Sequence, residues 1–236
     1  MEIPQDIKNK IMVREDYLEW LEKEPVVFVY LDLTNMFHWQ DVLGWKFRIE
    51  DLIEQLKTYK NIQEIKVYYG LNTRDLKNSK AFHKRILKTG AILKTKPMKY
   101  IPKTIKEGMF FQRKTMTLFD DGVKSKIEEL VDELHKPGIL IEEPKCNFDV
   151  EMTMDILDDA KKFSAVILFS GDSDMQGPLQ RLKIENKKIG ICGVRNQVAE
   201  ELHKIKDKYF DFGRLYTGKR NYEPKSENPA KAGPRD

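Results

Sequence analysis

Short apolar runs alternate with amphipathic stretches along most of this chain. Val26 to Leu31 (VVFVYL) is a continuous β-branched and aromatic run, the pattern of a strand buried on both faces, and it ends at Asp32. Ahead of it, Asp16 to Glu24 places Tyr17, Leu18 and Leu21 at helical spacing and Pro25 stops the helix, so residues 1–25 read as a lead-in. Arg48 to Tyr59 carries Ile49, Leu52, Ile53 and Leu56 at the i, i+3, i+4, i+7 positions of a one-faced helix. Ile65 to Gly70 reads as a strand. Arg74 to Thr89 reads as a basic helix with Leu76, Phe82, Ile86 and Leu87 inward, closed by Gly90, and Ala91 to Thr95 as the next strand.

The pattern weakens from Lys96 to Glu143, where Met109 to Leu118 reads as a strand or hairpin, Val123 to Leu134 as a helix and Ile139 to Glu142 as a strand. It then resumes: a helix from Phe148 to Lys161, a strand Ala165 to Phe169, a helix Asp174 to Asn186, a strand Lys188 to Cys192, a helix Gln197 to Ile205 and a short strand Tyr209 to Phe212. Buried strands alternating with amphipathic helices predict an α/β fold, a doubly wound, mainly parallel sheet with helices on both faces. One domain is expected over residues 26–217, interrupted by an insertion at 96–143. The polar, Pro- and Lys-rich residues 218–236 have nothing to bury and read as a disordered tail.

Charge changes this picture in one place. The whole chain carries a formal charge of only +4, but Arg74 to Lys114 holds thirteen Lys or Arg against Asp75 and Glu107. Such a segment can neutralise several phosphates, so nucleic acid is the first partner to test, although a solvated Lys-rich face would look the same. Lys84, Arg85 and Lys88 are its leading candidates for nucleic-acid contact. Cys146 and Cys192 lack any paired spacing, which argues against a disulfide framework and fits a reducing cytoplasm. The first residues lack an apolar signal core, and no run is long enough to span a membrane, so no membrane partner is expected.

Carboxylates stand where strands end or helices begin: Asp32 after VVFVYL, Asp149 opening FDVEMTMDILDDA, and Asp172 with Asp174 after AVILFS. In a parallel sheet the carboxyl ends share an edge, so these acids converge there and repel one another unless a cation lies between them. Mg2+ suits such a site, because it takes hard oxygen ligands and needs only a few carboxylates beside a substrate phosphate. Each acid also has an ordinary reading, as a helix cap or a strand terminator. Asn35 is placed to position a carboxylate, a water or a phosphate, or simply to begin a helix or turn. Ser170 offers a hydroxyl beside Gly171. Asp155 and Glu151 share a helix face and rank below Asp149, and Asp158 and Asp159 read as solvated charges. The four histidines form no triad with a Ser and an Asp, and there is no phosphate-binding P-loop.

YLDLTN, KCNFDVEMTMD, LFSGDSDMQGPLQRLKIENKKIGICG and ELHKIKDKYFDF together resemble the NYN family, including its LabA-like group, within the PIN-like nuclease superfamily. The specific part is the ordered combination D-x-x-N, K-x-x-x-D-V-x-x-x-x-D and S-G-D-S-D, and the resemblance covers about Val26 to Leu215. It implies a PIN-like α/β domain hydrolysing RNA, single-stranded or structured, with Mg2+ or Mn2+. Carried over, the resemblance implies metal ligation by Asp32, Asp149, Asp172 and Asp155. It implies catalytic roles for Asp32, Asn35, Asp149, Asp172 and Asp174, and nucleic-acid contact by Lys145 and Ser170. Cys146 and Asn147 stand where the family commonly has Gly after that Lys. Asp207 matches a recurring late Asp that is as well explained structurally. The basic insertion offers a grip for RNA, a protein partner or a second copy of the chain. Two other readings remain: an NYN-like module that binds RNA or assembles without cutting, and a haloacid-dehalogenase-like phosphatase. The phosphatase would want an acid at the position of Thr34.

Overall fold

The computed structural model describes residues 19–104, 120–136, 138 and 140–222, in two compact units. The larger holds residues up to 69, 75–95 and from 148 onward. Residues 19–22 are helical, as the lead-in predicts over its described part. Then follow β1 (Val27–Asp32), α1 (Leu33–Leu43), β2 (Trp45–Lys46), α2 (Ile49–Lys57), β3 (Ile62–Tyr68), α3 (Leu76–Lys88) and β4 (Ile92–Lys94). The second unit, residues 70–74 and 96–147, contributes β5 (Lys99–Thr104), α4 (Asp121–His135) and β6 (Leu140–Lys145). The chain returns to the first unit with α5 (Asp149–Asp159), β7 (Ala165–Phe169), a 3-10 turn (Ser173–Met175), α6 (Gln176–Ile184), β8 (Lys188–Gly193), α7 (Glu200–Ile205), β9 (Lys208–Asp211), α8 (Phe212–Leu215) and β10 (Asn221–Tyr222).

Six strands form one sheet in the order β4-β3-β1-β7-β8-β9, and every neighbouring pair is parallel. Chain order reverses between β1 and β7, so the crevice beyond their carboxyl ends is the topological switch point at which such sheets bind ligands. Both strands are buried along their length because helices cover both faces. Val27, Val29 and Leu31 enter a core with Met36 and Trp39 of α1, Leu52, Ile53 and Leu56 of α2, and Ile86 of α3. Tyr30, pointing the other way, meets α5 through Asp159.

That second face contains a polar row which the sequence pattern does not announce. Asp159 is 2% exposed, not solvated as its position near a helix end suggests; it accepts from Tyr30 Oη at 2.8 Å and from the buried Lys66 ammonium, with Lys162 on its other oxygen at 2.8 Å. One turn earlier Asp155 accepts from Tyr68 Oη at 2.7 Å and Lys94 Nζ at 3.0 Å. Burial opposes ionisation of Asp159, yet the donors Lys162, Lys66 and Tyr30 hold its carboxyl below the usual range. Burial, reinforced by these carboxylates, pushes both tyrosine hydroxyls upward.

The structure departs from the pattern in three places. The segment after Asp32, to which the pattern assigns no element, is a full helix, α1: Asp32 caps it by accepting from Asn35 N, and Gly44 closes it at φ +68°. Its buried stripe is only Leu33, Met36 and Trp39, too sparse to stand out among Phe37, His38 and Val42. On α3 the inward face is Ser79, His83 and Ile86, with Leu76 and Leu87 exposed, so the helix is rotated from its most apolar reading. Gly218 to Tyr222, placed in the tail by composition, are described, and Asn221 and Tyr222 pair antiparallel with Lys46 and Trp45. Met109 to Leu118 and residues 223–236 lie outside the described residues.

Asp159→Ala would leave the Lys66 ammonium buried without its principal partner, at a cost of about 3 kcal/mol. Urea unfolding at neutral pH should show that loss. Because the native carboxyl titrates below its unfolded value, the difference from wild type should shrink only at strongly acid pH, as Asp159 protonates.

Candidate metal centre

The carboxyl ends of β1 and β7 are joined by side chains. Asp32 Oδ1 accepts from Asn35 N at 3.1 Å, while Oδ2 accepts from Ser170 Oγ at 3.3 Å. Ser170, fully buried, also accepts from Asp172 N at 3.2 Å. Asn35 Oδ1 accepts from Trp39 Nε1 of its own helix and from Gly171 N across the crevice, both at 3.1 Å. Gly171 is further held by Ala199, whose N–H donates to its carbonyl at 3.0 Å. A Cβ at position 171 would lie 1.9 Å from Gln197 O, so only glycine fits there.

Asp172 ends this clamp and caps the 3-10 turn, accepting from Asp174 N at 3.0 Å. Asp149, first residue of α5, completes a cluster: one carboxylate oxygen each from Asp149, Asp172 and Asp174 lies within 4.8 Å of the other two. Asp174 is exposed and the other two are half-buried. Among the described residues this is the group of acids that could hold a metal ion, and its donors are the hard oxygens that Mg2+ or Mn2+ prefers.

Asp32 lies outside that set of three but within its field. Burial pushes its carboxyl up to about 6; the Asn35 N–H and Ser170 hydroxyl pull it down, and the charges of Asp149 and Asp172 push it up further. A buried carboxyl beside two more acids resists ionisation, and a cation would relieve that resistance.

The other expected residues divide plainly. Ser170 is buried and spent on Asp32 and Asp172, so it organises the acids and does not reach nucleic acid. Asp155 does not join the cluster, because its carboxylate is taken by Tyr68 and Lys94. Asp207 braces the sheet, accepting from Ile189 N and Lys183 Nζ. Lys145 ends β6 in the second unit, opposite Lys99. On α3, Lys77, Lys80, Lys84 and Lys88 form one exposed stripe, whereas Arg85 pairs with Glu50 at 2.6 Å and lies over Phe82. Charge count singles out Arg85 equally; only packing separates it.

The NYN domain family matches residues 26–215. The chain is 20% identical to the low amplitude and bright protein LabA of Synechococcus elongatus over 201 residues, 85% of this chain and 89% of the relative. It is also similar to a solved structure of a protein of unknown function from Vibrio parahaemolyticus, with a TM-score of 0.56 and 18% identity over 82% of this chain and 96% of that one. No described helix is long and apolar enough to cross a membrane.

With divalent ions chelated, Asp32→Asn should be more stable than wild type near neutral pH, by up to about 2 kcal/mol, since Asn keeps the cap without the buried charge. The sign follows from the raised carboxyl: the native state favours its protonated form, so Asp32 adds stability below its unfolded value of 3.8 and loses it as pH rises through about 6. Thermal unfolding across that range should show the two proteins converge in acid and part above it.

Proposed function

Because the chain belongs to the NYN domain family and so carries a nuclease-type fold, we propose that it is a divalent-metal-dependent ribonuclease acting at the carboxyl ends of β1 and β7. The observation that carries this reading is the convergence of Asp149, Asp172 and Asp174 to within 4.8 Å, beside an Asp32 whose carboxyl is pushed up to about 6. Acids that share such a space repel one another, and relief by Mg2+ or Mn2+ is the physical reason to assemble them.

In this reading Asp149, Asp172 and Asp174 would hold the ion, and Asp32 supplies a fourth negative charge behind them. The bound ion would supply charge neutralisation at a scissile phosphate and a more acidic water. Asn35 and Ser170 keep Asp32 and the 170–172 backbone in place, so that the acids meet the phosphate from a fixed frame. The stripe Lys77, Lys80, Lys84 and Lys88 would hold backbone phosphates of RNA without reading sequence. The absence of an acid at Thr34 weighs against phosphomonoester hydrolysis through an aspartyl nucleophile.

Labelled single-stranded and structured RNA should be cut in the presence of Mn2+ or Mg2+ and left whole in chelator. Asp172→Asn should lower the rate on the order of a hundredfold or more with RNA binding retained. Binding without metal-dependent cleavage by the wild type would instead make the chain an RNA-holding module, and metal-dependent release of phosphate from a small phosphomonoester would favour the phosphatase.

Replacing Lys80, Lys84 and Lys88 by Ala should weaken RNA binding and flatten the dependence of log K on log salt by about 0.7 for each phosphate no longer neutralised. Arg85→Ala should change that slope little, because its guanidinium is already paired with Glu50.

A further inference from the structure

Among the described residues of the second unit no apolar side chain is fully buried. β5 and β6 form a two-stranded antiparallel ribbon whose Ile101, Leu140 and Ile141 are exposed. Arg74, lying 3.8 Å over the ring of Tyr100 and paired with Glu142, and the bond from Tyr100 to Asn72 tie the ribbon to residues 70–74. These are polar and edge contacts, and a small unit whose described residues bury so little apolar surface gains stability from covering more of it.

Helix α4 displays that surface. Asp120 caps it firmly by accepting from Val123 N at 3.0 Å, and it runs for 15 residues. Four of its five apolar residues, Val123, Ile127, Leu130 and Leu134, are spaced four, three and four apart, the heptad seam of a two-helix coiled coil, and half-buried Val131 flanks that seam. Val123 is 38%, Leu130 56% and Leu134 39% exposed, and Ile127 is half-buried. A helix bound against its own core would bury this seam, as α2 does with Leu52, Ile53 and Leu56.

We propose that α4 is a self-association helix, pairing antiparallel with α4 of a second copy of this chain. The seam is its own complement when reversed: Val123 meets Leu134 of the second copy, Ile127 meets Leu130, and the two remaining layers repeat these contacts by symmetry. The charges beside the seam select the occupant and the direction. Lys126 and Glu133, both exposed, each stand one residue before a seam position, Ile127 and Leu134. Antiparallel pairing brings Lys126 of one copy to Glu133 of the other, twice per dimer. Parallel pairing would set Lys126 beside Val131 and leave the charges unmatched. At about 22 Å long, the helix pair forms a small contact, so association belongs to the weak, concentration-dependent class.

Sedimentation of the full chain over a range from about one to a few hundred micromolar should show the mass rise from 27.8 kDa towards a dimer. Leu130→Glu, which places charge in the seam, should weaken association by more than about tenfold. Lys126→Glu and Glu133→Lys should each weaken it through like-charge contacts, and the double exchange should restore it. Circular dichroism of each variant separates a failure to associate from a failure to fold. A wild type that stays at 27.8 kDa throughout overturns the proposal, since the seam is then covered from within its own chain. A dimer indifferent to Leu130→Glu, or single exchanges not rescued by the double, overturns it as well.

Discussion

Two strands far apart in the chain end side by side, and the hydrogen bonds locking those two ends together are what the rest of the carboxyl edge depends on. Strand pairing alone brings β1 and β7 into register up to Leu31 and Phe169. Beyond that point the ladder between them stops, and the chain leaves β1 directly into α1 but leaves β7 through residues 170–172 into a 3-10 turn. Asp32 grips Ser170, and Asn35 grips the Gly171 backbone. These contacts decide where Asp172 emerges, hence where Asp174 follows it. Each partner serves twice: Asp32 caps α1 while holding Ser170, and Asn35 holds Trp39 as well as Gly171.

A second set of constraints works from beneath. α5 brings Asp149 to the edge, and its position on the sheet is set by Asp155 and Asp159, one turn apart, each bound to a tyrosine and a lysine from the strands. An apolar helix face could slide or rotate by a fraction of a turn at small cost, whereas a paired buried charge has one satisfactory place. Met152 and Ile156 supply the burial, and the polar row supplies the register.

Much of this was legible before the fold was known. The continuous apolar runs at Val26–Leu31 and Ala165–Phe169 gave the central strands, and parallel connectivity placed Asp32 and Asp172 on a common edge. The limits are equally physical. α1 escaped notice because Asp32 is both strand end and helix cap, and the helix buries only three side chains. Asp155 and Asp159 misled because spacing along a helix says which residues share a face, not what waits opposite; a lysine and a tyrosine on neighbouring strands changed both assignments. Ser170 was correctly placed beside the acids, but its full burial depends on contacts 138 residues away. On α3, four lysines and one arginine looked alike until Glu50, on another helix, claimed the arginine.

The same 138-residue gap between Asp32 and Ser170 has a consequence for a chain as it is made. Long-range parallel pairing forms late, after the local helices, and a ribosome delivers β1 long before β7. The lysine stripe of α3 lies in the first half of the chain, while Asp149, Asp172 and Asp174 arrive in the second. A nascent chain can therefore present its cationic surface before it has an assembled set of acids. By dividing the edge between β1 and β7, the fold leaves its acid cluster unassembled until four of the six sheet strands have been synthesised.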